Sequence, residues 1–80
     1  MNRKCGLNAL NIGDCAKVLH LENSGSIRRR LQDIGVVEGT KIRCVLKAPG
    51  GDPTAFLIKG AVIAIREDDS KKIFVRCGYE

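Results

Sequence analysis

The stretch KIRCVLKAPGGDP, residues 41 to 53, constrains the fold more than any other part of the chain. Ile42, Cys44 and Leu46 alternate with Lys41, Arg43, Val45 and Lys47, the period of a strand with one face turned inward. That strand has to stop at Ala48. Gly50, Gly51 and Asp52 lie between Pro49 and Pro53, and a proline has no N–H to give to a neighbouring strand. The segment therefore reads as a hairpin loop. Beyond it TAFLIKG and AVIAIRE, residues 54 to 60 and 61 to 67, read as two further apolar strands joined around Lys59 and Gly60.

The first half is punctuated as often. Leu7, Leu10 and Ile12 precede a turn at Gly13-Asp14, after which Ala16, Val18 and His20 alternate with Cys15, Lys17, Leu19 and Leu21. Neither face of that strand is purely polar, so cover is expected on both sides. Asn23-Ser24-Gly25 ends it, and Ser24 or Ser26 can cap a helix whose apolar stripe is Ile27, Leu31 and Ile34 and whose end is Gly35. At about 100° per residue, Arg28 and Arg29 turn away from the stripe into solvent, while Arg30 flanks it and can lay its stem over the core edge. EDDSKK supplies one helical turn, with Glu67, Asp68 and Asp69 at its positive end, before a last strand from Ile73 to Arg76. The expected class is mainly β: a small SH3-like barrel of about five strands with one short inserted helix, which conceals most sheet edges.

With 80 residues the chain reads as a single domain, 1–80, with a small core. Its formal charge of +5 favours acidic partners in general and selects none. No apolar segment of about 7 to 15 residues is followed by a small-residue cleavage site, so a cytoplasmic location is expected, and with it reduced thiols at Cys5, Cys15, Cys44 and Cys77. Cys5 and Cys77, near the ends, are the two to watch for oxidation. The four are spaced 10, 29 and 33 positions apart, which contains no C-x2-4-C knuckle, and His20 is the only histidine. The reading is four scattered thiols, no metal site and no cofactor, with His20 a partly exposed strand residue.

Catalysis finds no support either. IGVVEGTK has neither the phosphate-loop nor the dinucleotide glycine spacing, and nothing orients His20 as a base for Cys44 or Ser70. Only three aromatic side chains occur, and Phe56 and Phe74 fall in strands as core candidates, so aromatic-walled polyproline grooves and base-stacking platforms are disfavoured. Phosphate contact through Arg28, Arg29, Lys41, Arg43, Lys47, Lys71 and Lys72 needs no rings and stays as the alternative: a basic module for nucleic acid.

IRRRLQDIGVVEGTKIRCVLKAPGGDP, then AVIAIRE and SKKIFV, together with Leu7, Leu10, Gly13 and Ala16 in the spacing LxxLxxGxxA, resemble the FeoA family of ferrous iron uptake. The resemblance covers nearly the whole chain. It implies an SH3-like, non-enzymatic accessory protein that works through the FeoB membrane transporter, at the cytoplasmic side where a GTP-binding domain resides. It also implies attachment to the membrane through that partner, no specific nucleic acid, and iron as the transporter's cargo. Self-association stays open, as does transition-metal sensitivity through the cysteines. Similar domains end the DtxR-type metal-dependent repressors, so a role beside such a regulator belongs with the alternative. The expected partner surface is the outer side of the helix with the adjoining loop: Arg28, Arg29, Gln32, Lys47, Gly50 and Asp52, since loops on a rigid barrel carry recognition.

Overall fold

The computed structural model describes residues 3–77. Six antiparallel strands form one sheet: β1 (Arg3–Gly6), β2 (Cys15–Leu21), β3 (Lys41–Lys47), β4 (Thr54–Ile58), β5 (Ala61–Ile65) and β6 (Ile73–Cys77), in the order β1-β6-β2-β3-β4-β5. A 3-10 turn, Leu7–Ala9, follows β1. Helix α1 (Gly25–Asp33) lies between β2 and β3, and one helical turn, α2 (Glu67–Ser70), leads into β6. The sheet curls around a core to which every strand except β1 gives buried side chains, among them Val18, Ile42, Phe56, Ile65 and Val75. The expected mainly β, SH3-like class is the one observed.

One strand is not marked in the sequence. β1, RKCG, has no alternating pattern and exists because β6 offers it a partner, Arg3 opposite Cys77 and Gly6 opposite Phe74. Two bulges also change which side chains turn inward. Between Val18 and His20 the pairing of β2 with β6 slips, so Leu21, assigned by period to the face opposite Val18, is buried with it at 9% exposure. Between Cys44 and Leu46 the pairing of β3 with β4 slips as well. Ile42 and Cys44 are buried as expected, while Leu46 is 62% exposed.

Helix α1 begins after Ser24, which holds the N-cap position with extended backbone, and it ends in a Schellman motif. Gly35 N–H donates to the Gln32 carbonyl at 3.0 Å and Val36 N–H to the Leu31 carbonyl at 2.9 Å. Leu31 and Val36, the pair this motif brings together, are both buried. Gly35 sits at φ +106, and a Cβ there would stand 2.9 Å from Lys59 Cγ, so glycine is needed both for the turn and for the close approach of the β4–β5 hairpin.

Candidate functional site

The six residues expected to meet a partner divide into two groups. Arg28 does not point freely into solvent as its helical angle suggests. Its Nη1 donates to the Leu21 carbonyl at 2.8 Å and to the Asn23 carbonyl at 3.4 Å, tying the first turn of α1 to the end of β2. The helical wheel fixes the direction of the Cβ and not the reach of a long side chain, and the Leu21 and Asn23 carbonyls lie within that reach. Arg29 and Gln32 are exposed on the same helix, as expected.

In the β3–β4 loop, Gly50 and Gly51 take φ of +88 and +91, Gly51 N–H donates to the Ala48 carbonyl at 2.7 Å, and Ala48 N–H closes the loop on the Pro53 carbonyl at 3.0 Å. Gly50 is exposed at the tip and Lys47 half-buried at the base. Asp52 turns toward α2: Oδ1 accepts the Glu67 backbone N–H at 2.9 Å, and Oδ2 lies 3.7 Å from Arg66 Nη1. A carboxylate 15 positions upstream thus caps the acidic helical turn. Among the described residues no hydrogen bond or ion pair joins Arg28, Arg29 or Gln32 to Lys47, Gly50 or Asp52.

Loop and helix meet instead through a residue the sequence did not single out. Arg66, paired with Asp52, also lines a groove of about 290 Å³ between α1 and β5, with Ile27, Arg30, Leu31, Ile34 and Ile63. Ile27, 38% exposed, contributes an apolar side chain at the mouth of this groove. The signal was present in part, since Arg30 was expected at the edge of the stripe. The missing piece was that β5 and Arg66 face it.

A second cleft, about 630 Å³, opens among Arg3, Cys5, Asp14, Cys15, Lys41, Arg43 and Cys77. Three of the four cysteines line it, against the expectation of scattered thiols, and Cys5 and Cys77 are joined as a disulfide, against the expectation that all are reduced. The reason is register. Cys5 stands opposite Val75 and Cys77 opposite Arg3, so the two lie diagonally on neighbouring strands with Cα atoms 6.5 Å apart, within disulfide reach.

Cys15 is half-buried and accepts a hydrogen bond from Arg43 Nε at 3.3 Å. Cys44 is buried, and burial pushes its thiol above the ordinary range; Lys47 pulls the other way and Asp14 adds a smaller upward push. Among the described residues no group of three or more His, Cys, Asp or Glu side chains is arranged to hold a metal ion. His20 is partly exposed and stacks on Phe74, ring centroids 5.0 Å apart, with Lys4 Nζ 5.2 Å from the centre of the Phe74 ring. Phe56 is core as expected, whereas Phe74 is only half-buried.

The FeoA domain family matches residues 5–77. The chain belongs to the FeoA family. A curated relative, the Fe(2+) transport protein A/Fe(2+) transporter FeoB fusion protein of Porphyromonas gingivalis, is 35% identical over 69 residues, which is 86% of this chain and 8% of the fusion protein. The chain therefore spans a small fraction of that relative. The solution structure of a FeoA-like protein from Clostridium acetobutylicum superposes with a TM-score of 0.86 at 35% identity, covering 100% of this chain and 93% of the other. FeoA of Stenotrophomonas maltophilia in complex with zinc, a prokaryotic SH3 domain protein, superposes at 0.79 with 30% identity, covering 88% and 87%. This FeoA-family chain thus shares the SH3-like architecture as well as the sequence of its relatives, and its family is one of ferrous iron transport. No described helix is long and apolar enough to cross a membrane.

Proposed function

We propose that this FeoA-family chain is a non-enzymatic accessory module of ferrous iron uptake, acting at the cytoplasmic side of the membrane by binding a FeoB-type transporter. The observation that carries the reading is the Porphyromonas gingivalis relative, in which a matching segment is part of one polypeptide with FeoB. Covalent linkage keeps two modules at high effective concentration, an arrangement suited to partners that work together. The surface offered to the transporter is the exposed side of α1 with the loop tip, Arg29, Gln32, Lys47 and Gly50, continued by Ile27 and Arg30 at the mouth of the groove. Arg28 and Asp52 hold the helix and the loop in place behind that surface.

The test is a pull-down from solubilised native membranes with tagged protein, run beside a ferrous iron uptake assay. Recovery of a FeoB-type transporter by the unaltered chain, and loss of both recovery and uptake with Arg29→Glu and Gln32→Ala together, support the reading. Undiminished uptake with that double substitution removes the helix from the interface. Submicromolar, sequence-selective binding of DNA or RNA at physiological salt overturns the protein-partner reading itself.

A further inference from the structure

The two edges of the sheet are built differently. β1 carries Arg3 and Lys4 and is tied to β6 by the Cys5–Cys77 bond, whereas β5, AVIAI, is an edge strand without a charge, a proline or a slip in register. Its pairing with β4 fixes which backbone groups are left over. Lys59 and Gly60, at φ of +51 and +84, make the two-residue turn that closes on the pair Ile58 and Ala61. Bonded and non-bonded pairs alternate from there, so Leu57 with Val62 and Ala55 with Ala64 are non-bonded, and the N–H and C=O of Val62 and Ala64 point away from β4. Among the described residues no strand lies beyond β5, and no hydrogen bond takes those groups. Val62 is 65% exposed, and Ala64 is exposed as well. The ends of the described chain, Arg3 and Cys77, stand in β1 and β6, toward the other side of the sheet order.

The groove of about 290 Å³ opens beside this edge, with Ile63, Ala64 and Ile65 of β5 on one side and Ile27, Leu31 and Ile34 of α1 on the other. We propose that β5 accepts an extended segment of the protein partner as a further antiparallel strand, with one apolar side chain of that segment seated in the groove, an inference that rests on the partner being a protein. A residue placed opposite Ile63 turns its side chain, like Ile63, to the groove side, while its two neighbours meet Val62 and Ala64 and exchange backbone hydrogen bonds with them. Main-chain bonds then supply affinity and the groove supplies selectivity. Charge decides which polypeptide fits. The formal charge of +5 counts all 80 residues, so a second copy brought edge to edge through β5 meets net repulsion, and a segment with acidic flanks meets attraction. Nucleic acid offers no peptide N–H and C=O to complete a strand edge.

The probe is the fluorescein-labelled peptide EEVTLTVEE, blocked at its C-terminus and titrated by anisotropy against the full chain. Its leucine is the groove residue, and its threonines meet Val62 and Ala64. Val62→Pro removes an outward N–H that β4 does not use, a change that edge strands tolerate. Thermal melts establish that the variant folds, and the peptide N-methylated at both threonines makes the same test on the unaltered chain. Binding that weakens by at least about fivefold with Val62→Pro, with N-methylation and with alanine in place of the leucine supports the edge. No binding up to about 1 mM peptide, or binding indifferent to any of the three changes, overturns it. Dimers of the unaltered chain in sedimentation that are lost with Val62→Pro assign the edge to a second copy and overturn it as well. Capture of the FeoB-type transporter is measured on the same variant. Capture that survives Val62→Pro sinks the edge and leaves the transporter reading standing, whereas peptide binding lost with Val62→Pro, without any transporter capture by the unaltered chain, supports the edge and sinks the transporter.

Discussion

Asp52 and Glu67 are linked across 15 positions by a hydrogen bond of 2.9 Å, from the backbone N–H that opens α2 to the carboxylate of the β3–β4 loop. The bond fixes the loop and starts the helical turn at the same time. Asp52→Ala is expected to cost about 1 kcal/mol of stability, the usual loss of a side-chain cap. Asp52→Asn keeps an acceptor oxygen and is expected to lose less. Chemical denaturation of the two variants checks this order, and equal losses would mean that the Arg66 pair, and not the cap, carries the effect.

Arg28 and Arg29 are neighbours in sequence with different surroundings, the first bonded to backbone carbonyls and the second exposed. Arg28→Ala removes hydrogen bonds from a guanidinium to two backbone carbonyls and is expected to destabilise by about 1.5–3 kcal/mol. Arg29→Ala is expected to stay within about 0.5 kcal/mol, as exposed substitutions do. Urea midpoints of the two proteins give the comparison directly.

Gly35→Ala places a side chain at φ +106 and against Lys59 Cγ. A loss of about 1–2 kcal/mol is expected from the backbone conformation alone. Pairing it with Lys59→Ala is expected to recover only the contact, because the left-handed backbone remains. Full recovery in the double variant would place the whole cost in the contact.

These three sites show what the sequence could and could not disclose. Alternation in KIRCVLK, the turn makers of APGGDP and the Ile27–Leu31–Ile34 stripe were local patterns, and the elements they define are present. Leu46 and Leu21 were misplaced because a bulge shifts the period only where a partner strand slips, and no single strand records that. β1, the Cys5–Cys77 pair and the Asp52–Glu67 cap join segments far apart in the chain, so they become visible only once the sheet order is known. Arg66 was missed for the same reason. Its role depends on α1, β5 and the loop meeting at one corner.

The two cysteines outside the disulfide should differ in reactivity. Cys44 is buried with its thiol pKa raised, so iodoacetamide at pH 8 is expected to modify Cys15 and spare Cys44 until the protein unfolds. The sign of the pH effect follows from linkage. The unfolded chain loses the Cys44 proton near 9.0 while the folded one keeps it to higher pH, so the contribution is intact below about 9.0 and declines as pH rises above it. Cys44→Ala should flatten that decline in stability curves measured from pH 7 to 10.

Reducing the Cys5–Cys77 bond releases a loop that spans 72 positions. Chain entropy assigns such a closure about 4 kcal/mol, and measured disulfides commonly give about 2–4. Melting with and without reductant should therefore differ by several degrees, and Cys5→Ser/Cys77→Ser should match the reduced protein. Identical melts in both conditions would show that the covalent link adds nothing to global stability.

Because β1 and β6 run antiparallel with Arg3 opposite Cys77, a polypeptide entering at residue 3 and leaving at residue 77 does so from adjacent points. Tension applied through those two points would act on β1 and β6 as on a zipper, opening one pair of residues at a time. The first covalent link it meets is Cys5–Cys77, just inside that opening. In the oxidised form the pull would pass from one flank to the other through the two sulfurs, and the strands from β2 to β5 would bear none of it. With the two sulfurs joined, a pull on residues 3 and 77 thus leaves the domain folded as a rigid bead, and with them reduced the same pull unravels it from β1.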